Sequence, residues 1–94
     1  MSQDSLGRLH AVVSGRVQGV SFRYYTLMRA NELGLTGWVR NLHDRTVEVT
    51  AEGSRADLEE LLKFLHAGPP AAHVLSVEVE WSAGAGNFSA FSIE

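Results

Sequence analysis

Between Ser14 and Arg23 the chain reads Ser-Gly-Arg-Val-Gln-Gly-Val-Ser-Phe-Arg, a joint that only a few folds accommodate. An apolar run of strand character, Leu9 to Val13, precedes it, and a segment of helical character, Phe22 to Leu33, follows it. Gly15 and Gly19 permit a tight reversal where a side chain would obstruct the backbone. The bend then enters a helix whose first N–H groups have no partner within the helix. Such a place attracts anions, because unpaired donors coincide with the positive end of the helix dipole and with Arg23 in the first turn. The guanidinium adds a planar fork of donors matched to phosphate oxygens. On glycine spacing alone, an ordinary strand-to-helix turn with one solvated arginine stands as an equal alternative.

The segments on either side narrow the fold. Leu9, Ala11 and Val13 alternate with His10, Val12 and Ser14, and Val12 makes both faces partly apolar, as suits a central strand. Met1 to Gly7 is small and polar and reads as a loose tail. Phe22, Thr26, Ala30 and Leu33 share one helical face, with Arg29 close to that stripe, and Gly34 suits a left-handed cap. Thr36 to Leu42 and Thr46 to Glu52 read as two strands, the second with Val47, Val49 and Ala51 on one face. The short break His43-Asp44-Arg45 makes them a hairpin. Ser54 and Asp57 have the spacing of a capping box, and Leu58, Leu61, Leu62 and Leu65 form the clearest amphipathic stripe. Gly68-Pro69-Pro70 ends that helix.

Val74 to Trp81 alternates again, with Leu75, Val77, Val79 and Trp81 expected inward and Ser76, Glu78 and Glu80 outward. Ser82 to Asn87 reads as a flexible link, and Phe88 to Ile93 as a short last strand. Strand–helix–strand occurs twice. The expectation is an α+β chain, a ferredoxin-like split β-α-β sandwich of βαββαβ order plus a short C-terminal strand, its sheet mainly antiparallel with two helices on one face. No internal repeat or dividing linker is evident, so residues 1–94 are read as a single domain.

Composition excludes several classes of function. A net charge of −3 argues against bulk nucleic-acid binding, which needs a basic face. Without cysteine there is no disulfide, thiolate nucleophile or cysteine metal site. No apolar run approaches the roughly 20 residues of a membrane span, and the N-terminus lacks a signal-peptide pattern. A cytoplasmic protein without membrane or nucleic-acid partners is expected. His10, His43, His66 and His73 are scattered without the spacing of metal ligands, so no metal and no cofactor is expected. Ser14 and Ser21 flank the bend, but no histidine–acid pair accompanies either. Arg16 is a loop cation that either attracts an anion or is simply solvated. Glu78, Glu80 and Glu94 read as a solvated strand face and a terminus, and Trp38 and Trp81 as packing residues.

Asn41, near the end of the second strand, is the other residue with chemical potential. An asparagine there either forms the turn or, offering both a donor and an acceptor, positions a water molecule. The inferred topology can bring it near the glycine bend.

Gly15-Arg16-Val17-Gln18-Gly19-Val20-Ser21-Phe22-Arg23, followed by Gly34-Leu35-Thr36-Gly37-Trp38-Val39-Arg40-Asn41, resembles the acylphosphatase family. The resemblance extends to Glu52-Gly53, Gly68-Pro69-Pro70 and Phe91-Ser92-Ile93, and runs from about Arg8 onward. It implies Arg23 and Asn41 as catalytic residues. It implies Gly15, Arg16, Val17, Gln18, Gly19 and Val20 as the phosphate-binding loop, which could reach Ser21. The implied reaction is hydrolysis of a small acyl phosphate to carboxylate and phosphate, without metal or cofactor. Inorganic phosphate is the implied competitive inhibitor, and the chain is expected to act as a monomer. One departure concerns the hairpin, where Asp44-Arg45 stands in place of a common Asp-Gly; a positive φ at Arg45 would cost about 1 kcal/mol relative to glycine. A non-catalytic acylphosphatase-like module that binds phosphate or RNA is the alternative. RNA recognition on this sandwich, however, needs paired aromatics on central strands and a basic sheet surface.

Overall fold

The computed structural model describes residues 6–94, so most of the expected tail, residues 1–5, lies outside the described residues. Its elements are β1 (Gly7–Arg16), α1 (Phe22–Glu32), β2 (Thr36–Asn41), β3 (Val47–Gly53), α2 (Arg55–Ala67), β4 (His73–Ala83) and β5 (Phe91–Ile93). The strands form a sheet in the order β4-β1-β3-β2-β5. β1 is antiparallel to β3 and β4, β2 is antiparallel to β3, and β5 joins β2 in parallel. The two strand–helix–strand units interleave: β3 lies between β1 and β2, and β1 lies between β3 and β4. This is the expected split sandwich.

Alternation decides which sheet face is covered. Leu9, Ala11 and Val13 of β1 pair with Ala51, Val49 and Val47 of β3, and all six are fully buried. They share one core with Leu58, Leu61 and Leu65 of α2 and with Phe22 and Ala30 of α1. Each leucine buried this way contributes about 2 kcal/mol over its exposed state. The core stripe of α1 is narrow, with only Phe22, Thr26 and Ala30 buried. Thr26 is tolerated there because its hydroxyl donates to the Phe22 carbonyl at 2.8 Å. Arg29 leaves the stripe to pair with Glu32 and with Glu60 of α2. α2 begins where the Ser54 hydroxyl accepts from the Asp57 amide, and Gly68 ends it at a φ of 70°.

Three features differ from the sequence expectation. β4 bulges opposite the end of β1: Ser14 pairs with Ser76 but Gly15 with Val74, leaving Leu75 as an extra residue. The alternation reverses there. Leu75, expected inward, is 72% exposed, and Val74 packs on the core instead, alongside Val77, Val79 and Trp81. Gly7, expected in the tail, is paired with Gly53 and Ala83. The link expected at Ser82–Asn87 is tied down as well. β4 continues to Ala83, and the buried Glu52 carboxylate accepts from the amides of Ala85 at 3.1 Å and Gly86 at 3.0 Å, and from Arg8 Nε at 2.8 Å.

Candidate active site

The bend after β1 is shaped by contacts at both of its ends. Gly15 has a φ of 122°, and a Cβ there would collide with the carbonyl of His73 on the bulged strand. Val17 is buried and anchors the bend in the core. The Gln18 side-chain amide donates to the carbonyls of Leu42 at 2.9 Å and Thr46 at 2.8 Å, fastening the bend to the β2–β3 hairpin. Gly19 at a φ of 74° and Ser21 at 63° flank Val20, whose φ is negative. Alternating signs of φ turn successive amides toward one concave side, an arrangement that binds anions. Among the described residues, no backbone or side-chain acceptor takes the amides of Val17 to Ser21. Ser21 caps α1 without a side-chain hydrogen bond, so the helix N-terminus stays open as well.

Arg23 extends from the first turn of α1, and its Nη1 donates to the carbonyl oxygen of Glu94, just past β5, at 3.2 Å. Asn41 is the last residue of β2. The turn-forming role open to Asn41 is filled by Asp44, whose Oδ1 accepts from the Thr46 amide at 3.1 Å and the Thr46 hydroxyl at 2.6 Å. Those bonds, the hydroxyl first, hold the Asp44 carboxyl below its ordinary pKa. Among the described residues the Asn41 side chain has no hydrogen-bond partner, which leaves its donor and acceptor available.

Arg23 and Asn41 line one cleft of about 400 Å³ together with Val17, Gly19, Ser21, Phe22, Tyr24 and Ile93. Of the residues expected in the phosphate-binding loop, Val17 and Gly19 line this cleft. Gly15 and Arg16 end β1, Gln18 points to the hairpin, and Val20 faces a second cleft with Tyr25, Pro69 and Pro70 on the far side of the bend. Tyr24 and Ile93 are not among the site residues expected from the sequence. Tyr24 had a visible signal: it is a large side chain directly after Arg23 and off the core stripe. Ile93 falls in the Phe91-Ser92-Ile93 stretch of the resemblance, but its place in the cleft depends on the parallel pairing of β5 with β2, which no local spacing shows. His10 lies on the uncovered sheet face, where its Nε2 is 2.7 Å from Glu48, and His43, His66 and His73 are exposed. Among the described residues no group of three or more His, Asp or Glu is placed to hold a metal ion.

A family model for acylphosphatases matches residues 9–93. An acylphosphatase of Trichormus variabilis is 57% identical over 79 residues, covering 84% of this chain and 78% of that protein. One from an Anaeromyxobacter species is 50% identical over 94% of this chain and 95% of its own length. The crystal structure of acylphosphatase from Bacillus subtilis superposes with a TM-score of 0.90 at 36% identity, covering 94% of this chain and 98% of that one.

Proposed function

The chain belongs to the acylphosphatase family, enzymes of acyl phosphate hydrolysis, and we propose that its chemistry is carried by Arg23, Asn41 and the Gly15–Val20 bend. The substrate is a small acyl phosphate and the products are a carboxylate and inorganic phosphate. In the proposed complex the amides of Arg16 to Val20, with that of Ser21, and the Arg23 guanidinium hold the phosphoryl oxygens. They stabilise the charge that spreads over those oxygens as the bond breaks. Phosphoryl transfer needs little covalent assistance, so positioning and charge stabilisation supply most of the acceleration. The leaving carboxylate is stable without protonation. Asn41 holds the attacking water in line, and a phosphoryl oxygen of the substrate takes its proton, so no general base is required.

The observation that carries this proposal is the convergence of Arg23 and Asn41, from a helix start and a strand end, on one cleft beside unpaired amides. No metal enters any step. One chain supplies every group, which supports action as a monomer, with a cytoplasmic setting as the accompanying expectation. The uncovered sheet face offers little to RNA, because Val12 lies between Glu48 and Glu78, and His10 pairs with Glu80. The test is hydrolysis of benzoyl phosphate by the purified protein in the presence of a chelator. Turnover with competitive inhibition by inorganic phosphate is expected. Absence of turnover, with phosphate or RNA bound, would favour the non-catalytic alternative.

A further inference from the structure

The cleft holds more than a phosphoryl group requires. About 400 Å³ falls in the range of pockets that enclose whole small organic ligands. Part of its wall is apolar. Val17 and Phe22 are buried in the core already, whereas Tyr24 is 55% and Ile93 42% exposed. Strand order places the bend, which follows β1, on one side of Asn41, and Ile93, on β5, on the other. The cleft therefore runs from the anion-binding bend past Asn41 toward an apolar residue. Tyr24 is not held for packing reasons, since the core positions of α1 are Phe22, Thr26 and Ala30. Its ring meets that of Tyr25 edge-to-face, with centroids 5.9 Å apart and planes at 73°. A tyrosine ring, with only two side-chain torsions to fix, gives up little freedom when it covers a ligand.

We propose that Tyr24 is a specificity-determining residue: its ring, with Ile93 of the same cleft, covers the acyl group and favours aromatic or bulky apolar acyl phosphates over acetyl phosphate. The inference rests on the acyl phosphate reaction proposed above. With the phosphoryl end fixed by the bend, only the acyl end can gain contact with the exposed parts of Tyr24 and Ile93.

The test compares kcat/KM for benzoyl phosphate and acetyl phosphate in the wild type, Tyr24→Ala and Tyr24→Phe. Tyr24→Ala is expected to lower the benzoyl-to-acetyl ratio about tenfold, chiefly through KM, as loss of an apolar contact does. Tyr24→Phe keeps the ring and is expected to keep the ratio within about twofold. A ratio unmoved by Tyr24→Ala overturns the proposal while leaving the hydrolase intact, and so does Tyr24→Phe falling as far as Tyr24→Ala. A wild type that hydrolyses neither compound removes the acyl phosphate reaction and this inference together.

Discussion

The side-chain amide of Gln18 donates to the carbonyl of Leu42 at 2.9 Å, so the bend that would grip phosphate and the residue next to Asn41 are directly joined. The second amide hydrogen completes the tie at Thr46. In the proposed site the Gln18 side chain would act by positioning, setting the distance between anion and water, while its backbone amide stays with the bend. Replacing Gln18 with Ala leaves two carbonyls without these donors and is expected to cost about 1–2 kcal/mol of stability, read from urea unfolding. Turnover should fall more than phosphate affinity, because the bend keeps its own amides while its alignment with Asn41 loosens.

Glu52 contributes to acid stability. Burial raises its pKa, but the amides of Ala85 and Gly86 and the Arg8 guanidinium more than offset this, and the net shift is downward from 4.5. The folded state therefore binds this proton less readily than the unfolded chain. Its contribution is complete above the unfolded pKa and is lost as the pH falls below about 4.5 through the lower folded value. Glu48, held down first by its hydrogen bond with His10, titrates in the same direction. Wild-type stability should thus fall on acidification below pH 4.5, and Glu52→Gln should flatten that slope. Glu52→Ala, which leaves Arg8 and two amides without their acceptor, is expected to cost about 3 kcal/mol.

Arg45 carries backbone strain at the hairpin, with a φ of 73°. Glycine there relieves about 1–2 kcal/mol of steric cost and returns up to about 1 through the freer unfolded chain. Arg45→Gly should therefore stabilise by about 1 kcal/mol, raising Tm by roughly 4–8 °C for a domain of this size. Activity should be unaltered, since the Asp44–Thr46 bonds that shape the turn remain.

The bulge on β4 separates two neighbours that composition treats alike. Val74→Ser should destabilise by about 1–2 kcal/mol, whereas Leu75→Ser should stay within about 0.5 kcal/mol. Equal losses in thermal or urea unfolding would place Leu75 in the core and contradict the register shift.

How much the sequence discloses varies with the range of the interaction. The order of elements was legible because each core face repeats locally: Leu58, Leu61 and Leu65 at helical spacing, Val47, Val49 and Ala51 at strand spacing. Arg23 and Asn41 were legible as chemistry because each sits at the end of an element, where side chains reach outward. Leu75 was misassigned because a bulge inserts one residue without altering the apolar pattern on either side. The Glu52 contacts with Ala85 and Gly86, the Gln18 tie and the placement of Ile93 depend on chain crossings between distant segments. No local spacing encodes these.

The division of labour between grip and water is tested most directly by Asn41→Ala and Arg23→Ala, each measured for benzoyl phosphate turnover and for inhibition by inorganic phosphate. Asn41→Ala is expected to lower kcat by about 100-fold or more with the phosphate inhibition constant within about threefold of wild type. Arg23→Ala is expected to weaken phosphate more than about tenfold and to abolish most turnover, with Arg23→Lys rescuing poorly for want of the planar fork. Asn41→Ala losing affinity and turnover in equal measure, or Arg23→Ala retaining wild-type activity, would contradict it.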